Sequence, residues 1–265
     1  MTSIPDDEDG RAGLAPEAFD AAWIRAHLAE ERAKASLLGE IREAIFGAQD
    51  GLVSTLAVVS TVAGASANRF PILIAGIASG LAGVFSMAAG EFMSSKSQRE
   101  IFAAQEAGER VEVAERPGEA EAEMAFMFNE DGLPREEAAT VARILARHPD
   151  ALLKTMTEKE LGLTGEHAEG SPLQGALIMG AAFGLGAVVP IVPYLLLGVD
   201  TAVYASVFAT GAVLFGIGVV KSRWTQRSWL RSGAEILVLG AFAGVAGYFF
   251  GNLLPVLLGV PSVSA

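Results

Sequence analysis

The chain has 265 residues, 51% of them hydrophobic, with a mean hydropathy of +0.40 and a formal net charge of −12. A chain this apolar and this acidic is not a single soluble globular domain, and without a basic stripe to neutralise phosphates it does not read as a nucleic-acid binder. It has no cysteine, which removes disulfides, thiolate nucleophiles and Cys-based zinc sites.

The charge is segregated. Residues 1–43 hold 10 acids and 5 bases, residues 99–170 hold 17 acids and 8 bases, and the rest holds 4 acids and 6 bases. Residues 1–43 open on Met-Thr-Ser-Ile-Pro-Asp-Asp-Glu-Asp, with no basic or apolar region of the kind a signal peptide needs. A helix is expected over 16–43, with Phe19, Trp23, Ala26, His27 and Glu30 at helical spacing, lying on the membrane surface or against the insert described below. A span needs roughly 20 mostly apolar residues. The first runs from Ala44 to Asn68 with Asp50 as its only charge, and the second is Phe70 to Gly90; residues 44–98 are the region that carries both. The second helix has no proline to stop it before Pro117-Gly118, so it is expected to continue to Glu115. Three further helices follow in residues 99–170: Glu119 to Glu130, then from near Pro134 to before His148-Pro149, then Ala151 to Leu161. Residues 171–265 carry three more spans, Pro172–Val199, Thr201–Val220 and from Ile236 onward.

Lysine and arginine near the span ends set the orientation. Arg32, Lys34 and Arg42 precede span 1, Lys96 and Arg99 follow span 2, and Lys221, Arg223, Arg227 and Arg231 lie between spans 4 and 5, flanked by Trp224 and Trp229. The opposite loops have only Arg69. This places the N-terminus and residues 99–170 in the cytoplasm and the C-terminus outside. The fold class read from this pattern is an all-α membrane protein of five transmembrane helices, with a cytoplasmic helical insert between helices 2 and 3.

Two groups of side chains invite chemistry. Asp50 lies inside span 1, where an ionisable group is costly and by default functional. Met87 and Glu91, four residues apart, share a face of span 2. Asp50 and Met87 fall at similar depth, and a carboxylate beside a thioether suits a borderline-soft ion such as Fe²⁺ better than Mg²⁺ or Ca²⁺. The plainer alternatives are Asp50 as a helix N-cap near the headgroups, Met87 as packing, and Glu91 reaching to the cytoplasmic surface. In the insert, Glu106, Glu109, Glu112 and Glu115 recur every three residues, and Glu119, Glu121 and Glu123 follow the Pro117-Gly118 turn. Facing carboxylates from two helices build metal sites in bundles, and Met156 with Glu160 on the last insert helix are placed to complete one. The alternative is a solvated acidic face, with Arg110 and Arg116 each four residues after a glutamate. His27, His148 and His167 are scattered. The sequence has no phosphate loop and no Ser/His/Asp grouping, so neither nucleotide use nor an enzyme is expected.

Three segments carry a resemblance. Ala48-Gln49-Asp50-Gly51-Leu52-Val53-Ser54-Thr55, Ser86-Met87-Ala88-Ala89-Gly90-Glu91-Phe92, and Pro172-Leu173-Gln174-Gly175-Ala176 with Phe183-Gly184-Leu185-Gly186-Ala187-Val188-Val189-Pro190 closely resemble the first, second and third spans of the vacuolar iron transporter family. The resemblance covers residues 38 to 258 and implies a homodimer exporting Fe²⁺, often also Mn²⁺, from the cytosol in exchange for protons. It implies that Asp50 and Met87 contact the ion on a path between subunits. It also implies an insert that gathers metal through paired glutamates, matched here by Glu109, Glu112 and Glu123, with Met156 and Glu160 on a later helix. The fourth glutamate position is Ala120 in this chain, leaving Glu119 or Glu121 as its substitute. The expectation is therefore a proton-coupled iron transporter of a bacterial plasma membrane, with no cofactor besides the transported ion. The alternatives are a membrane-tethered metal buffer or sensor without flux, and a transporter acting primarily on Mn²⁺.

Overall fold

In the computed structural model, residues 20–160, 162, 171–225 and 227–257 are described. Eight helices follow one another among them: α1 (Ala21–Ala65), α2 (Arg69–Glu115), α3 (Pro117–Glu130), α4 (Arg135–Ala146), α5 (Pro149–Glu160), α6 (Pro172–Leu196), α7 (Val199–Thr225) and α8 (Trp229–Leu257). Five of these, α1, α2, α6, α7 and α8, are long and apolar enough to cross a membrane. Phe19 and His167, noted in the sequence, lie outside the described residues.

The chain divides into two compact units at Gly39/Glu40. In the first unit, Asp20 caps the start of α1 by accepting from the Trp23 N–H at 2.7 Å. Trp23 and His27, one turn apart, stack with ring centroids 4.9 Å apart, and Lys34 pairs with Glu30 and Glu31 in solvent.

The second unit is built around α6. Glycines on α1 let the α6 backbone approach so closely that a side chain would not fit: a Cβ at Gly47 would lie 2.5 Å from the Met179 carbonyl oxygen, and one at Gly51 would lie 2.9 Å from the Phe183 carbonyl carbon. Small residues at such crossings are how apolar helices associate where water gives no driving force. The contacts also fix the register. Glu43 lies against Gly175, Gly47 against Met179 and Gly51 against Phe183, so α1 and α6 run parallel. On the other helix Gly76 lies against Ile191, Gly80 against Ala187, Gly83 against the Phe183 ring and Ala88 against Gly180, so α2 runs antiparallel to α6. Pro190 and Pro193 sit inside the last turns of α6, and Ser206 on α7 donates to the Pro190 carbonyl at 2.8 Å. Thr61 on α1 donates to the Gly247 carbonyl on α8 at 3.0 Å. Phe70, Ile74, Ile77, Leu81 and Phe85 line an exposed face of α2, the surface that a bilayer or a second apolar helix would cover.

α2 leaves the span without a break and ends at Glu115, because Pro117 disfavours helical geometry in the residue before it. Arg116 is the single residue between α2 and α3, and Pro117 occupies the first position of α3, where its missing N–H is no loss. Gly132, at φ +105°, closes α3. Around the end of α2, helices α3, α4 and α5 enclose a small core of Val113, Ala120, Met124, Ala142, Leu152, Leu153 and Met156. Lys159 fastens the end of α5 to that of α3 by pairing with Asp131 and standing 4.9 Å over the Phe128 ring.

Candidate functional site

Glu43 and Asp50 are seven residues apart on α1, so they differ by only about 20° around the helix. Met87 and Glu91 form a matching stripe on α2. Measured against α6, Asp50 stands level with Ala182 and Met87 level with Gly180, about 3 Å apart along the axis. Phe183 links the two, with its backbone against Gly51 beside Asp50 and its ring against Gly83 one turn from Met87. By the same register Glu43 and Glu91 share a second level nearer the insert, about 10 Å from Asp50 along α1 and about 6 Å from Met87 along α2.

Asp50 lies in the middle of α1, half-buried, with 29 helical residues before it. That overturns the N-cap alternative, since an N-cap must precede its helix. Its neighbour Ser54 donates to the Asp50 carbonyl rather than to the carboxylate, at 2.6 Å. Glu91 accepts from Ser95 at 2.6 Å. Met87 is half-buried.

Glu43, which the sequence alone does not set apart from the charged flank around Arg42, also belongs to this site. One of its carboxyl oxygens is shut away from solvent without a hydrogen-bond partner among the described residues. It rests on the first turn of α6, where a Cβ at Gly175 would lie 2.9 Å from it. Gln174 in that turn donates to Glu40 at 2.6 Å. The unpaired N–H groups and dipole of a helix start favour carboxylates there. The signal in the sequence was the seven-residue spacing to Asp50.

In the insert, the acidic stripe splits according to which way each helix faces. Glu106 pairs with Arg110 at 3.2 Å in solvent, and Glu115 is exposed, as the solvated-face alternative has it. Glu109 and Glu112 turn towards α3 and α5. Carboxylate oxygens of Glu112, Glu119 and Glu123 come within 4.8 Å of one another. Glu119 therefore stands by the position that Ala120 leaves empty. Ala120 itself is fully buried in the small core, and Glu121 points away to Arg143 at 3.9 Å. Glu109 has one carboxyl oxygen buried and unpartnered. Burial, then the neighbouring Glu160 and Glu112 charges, push its carboxyl above the ordinary value. Glu123 is pushed up by burial and then by Glu112 and Glu160. These mutual effects tie Glu160 on α5 to the group, so it draws on three helices. Met156, one turn before Glu160, is completely buried among Val113 and Met124 and serves as packing for the group whatever else it does.

Oxygen donors converging from three helices, two of them with carboxyls pushed up by burial and then by neighbouring carboxylate charge, form a site that gains by taking up a divalent cation.

The VIT family model matches residues 41–252. Vacuolar iron transporter 1 of Arabidopsis thaliana is 35% identical over 213 residues, covering 79% of this chain and 84% of the relative. Vacuolar iron transporter 2 of Oryza sativa subsp. japonica is 32% identical, covering 83% and 90% respectively. The vacuolar iron transporter of Plasmodium falciparum is 26% identical, covering 81% and 82%. The matched stretch includes both carboxylate levels of the spans and the whole acidic group of the insert.

Proposed function

The chain belongs to the VIT family, and we propose on that premise that it carries Fe²⁺ across a membrane, out of the cytosol. The five apolar helices and the family make it an integral membrane protein. In this reading the insert faces the cytosol, where the basic residues at the span ends also lie. Glu109, Glu112, Glu119, Glu123 and Glu160 collect the ion, with Met156 beneath them. Glu43 and Glu91 receive it at the mouth of the spans, and Asp50 and Met87 pass it on. A proton travels the other way on one of these carboxylates. Replacing water by carboxylates step by step lowers the cost of bringing a divalent charge to membrane depth. A second copy of the chain completes the wall of the path along α1 and α2. The mixed carboxylate and thioether set also accepts Mn²⁺, the runner-up substrate. A bacterial plasma membrane is the proposed location.

The observation that carries this reading is the register on α6. By it Asp50 and Glu43 of α1 face Met87 and Glu91 of α2 at two successive levels, and α2 runs on to Glu109 and Glu112 of the insert. The test is Fe²⁺ uptake into proteoliposomes under a pH gradient, with Mn²⁺ as competitor. Asp50→Ala should abolish uptake while leaving metal binding by the insert intact. Full uptake in that variant refutes the path. Metal binding by the wild type without any flux would instead support a membrane-tethered buffer.

A further inference from the structure

The acidic group of the insert already holds a cation. Arg116, the lone residue between α2 and α3, sits at φ −130°, ψ 51°. Its guanidinium spans the turn, with Nη2 3.1 Å from Glu112 Oε2 and Nη1 2.8 Å from Glu119 Oε2. These are two of the three carboxylates that converge within 4.8 Å, and the third, Glu123, also acts on Arg116. The other bases nearby are engaged elsewhere: Arg110 with Glu106, Arg143 with Glu121, and Lys159 with Asp131.

We propose that Arg116 is an internal counter-ion of the collector, occupying Glu112 and Glu119 in the metal-free chain and leaving them when a divalent cation arrives. The inference rests on reading this acidic group as the metal collector. A planar guanidinium fork bridges two carboxylates well, so it offsets the repulsion between Glu112 and Glu119 while no metal is bound. The same side chain is 57% exposed, which keeps each pair weak and lets it swing into solvent without breaking the core. Metal and arginine then compete for the same oxygens. The arginine thus sets the affinity at a level from which the ion can be handed on, and it takes back the carboxylates once the ion has left.

The test is Mn²⁺, a redox-stable probe, titrated calorimetrically into the full chain in detergent micelles, with the metal-free thermal midpoint recorded alongside. Arg116→Gln should bind Mn²⁺ roughly five- to tenfold tighter, the effect of removing two exposed ion pairs that compete with it. Its metal-free midpoint should be unchanged or slightly lower. A purely structural brace would give the opposite result, weaker binding. Arg116→Lys keeps the charge but loses the fork, and should gain less than Arg116→Gln. If Arg116→Gln does not fold, Arg116→Lys decides alone: tighter binding than wild type supports the proposal. Equal or weaker Mn²⁺ binding in the folded variants overturns it. Absence of Mn²⁺ binding in the wild type overturns the collector as well, a result distinct from a wild type that binds and variants that do not differ from it.

Discussion

Gly51→Ala tests the register on which the spans depend. The added Cβ would lie 2.9 Å from the Phe183 carbonyl carbon and 3.0 Å from its Cα, and closer still to its carbonyl oxygen, where ordinary contact begins at 3.4 Å. Every obstructing atom is backbone, so no side chain can rotate aside; α1 and α6 must separate by about an ångström. Overpacking of this kind costs about 1–3 kcal/mol. In a chain of this size, at about 2–4 °C per kcal/mol, that corresponds to a fall of roughly 2–12 °C in the thermal midpoint. The helix preference of alanine over glycine, up to about 1 kcal/mol, works in the opposite direction and is overcome. Gly216→Ala on α7 is the control, since a Cβ there meets nothing within 4 Å. Midpoints of the detergent-solubilised variants, followed by size-exclusion chromatography after heating, should fall for Gly51→Ala and hold or rise for Gly216→Ala. Iron flux should drop in the first and persist in the second, because Asp50 moves with Gly51. If Gly51→Ala melts and transports like wild type, the α1–α6 contact does not position the path.

Two further outcomes follow from individual carboxylates. Glu43→Gln keeps the shape of the side chain against Gly175 and removes its charge; it should lower flux by tenfold or more, on the order of 1.4 kcal/mol of barrier, while calorimetric Mn²⁺ binding by the insert stays as in wild type. The carboxyls of Glu109 and Glu123 are held above their ordinary 4.5 in the folded chain, so as pH falls through their raised values the folded insert takes up protons that the unfolded chain does not yet bind. The metal-free insert should therefore become more stable on mild acidification, until the unfolded value is reached. Metal affinity should fall over the same window, since protons and metal compete for the same oxygens. Circular-dichroism melts and Mn²⁺ titrations across pH 4.5–7 should thus trend in opposite directions, and parallel trends would refute the shared-carboxylate account.

What could be read in the sequence was what is decided locally. The end of α2 at Glu115 follows from Pro117, the end of α3 from Asp131-Gly132, and the spans from uninterrupted apolar runs. What could not be read was decided between helices. Asp50 and Met87 were placed at one depth by counting residues from the membrane edge, but the level shared by Glu43 and Glu91 depends on Gly175 and Ala88 meeting their partners, which no single helix reveals. The choice between Glu119 and Glu121 likewise turned on the rotation of α3. Burying Ala120 in the core puts Glu119 on the Glu112 side and sends Glu121 to Arg143. Spacing and resemblance both single out Met156, but neither shows that it is completely buried in the small core of the insert.

α2 is a single rod from Arg69 to Glu115, with no proline beyond Pro71 to let it bend. Met87 and Glu109 are fixed points on it, about 33 Å apart. The insert is thereby mounted on the end of a span, and a small tilt of α2 at Met87 would be magnified at Glu109. Any rearrangement that opens the spans re-aims the glutamates of α2 against those of α3 and α5. Conversely, an ion that draws those glutamates together pulls on the span. In the proposed transport cycle, loading and opening would be geared to each other through this one helix, without a separate linker to carry the signal.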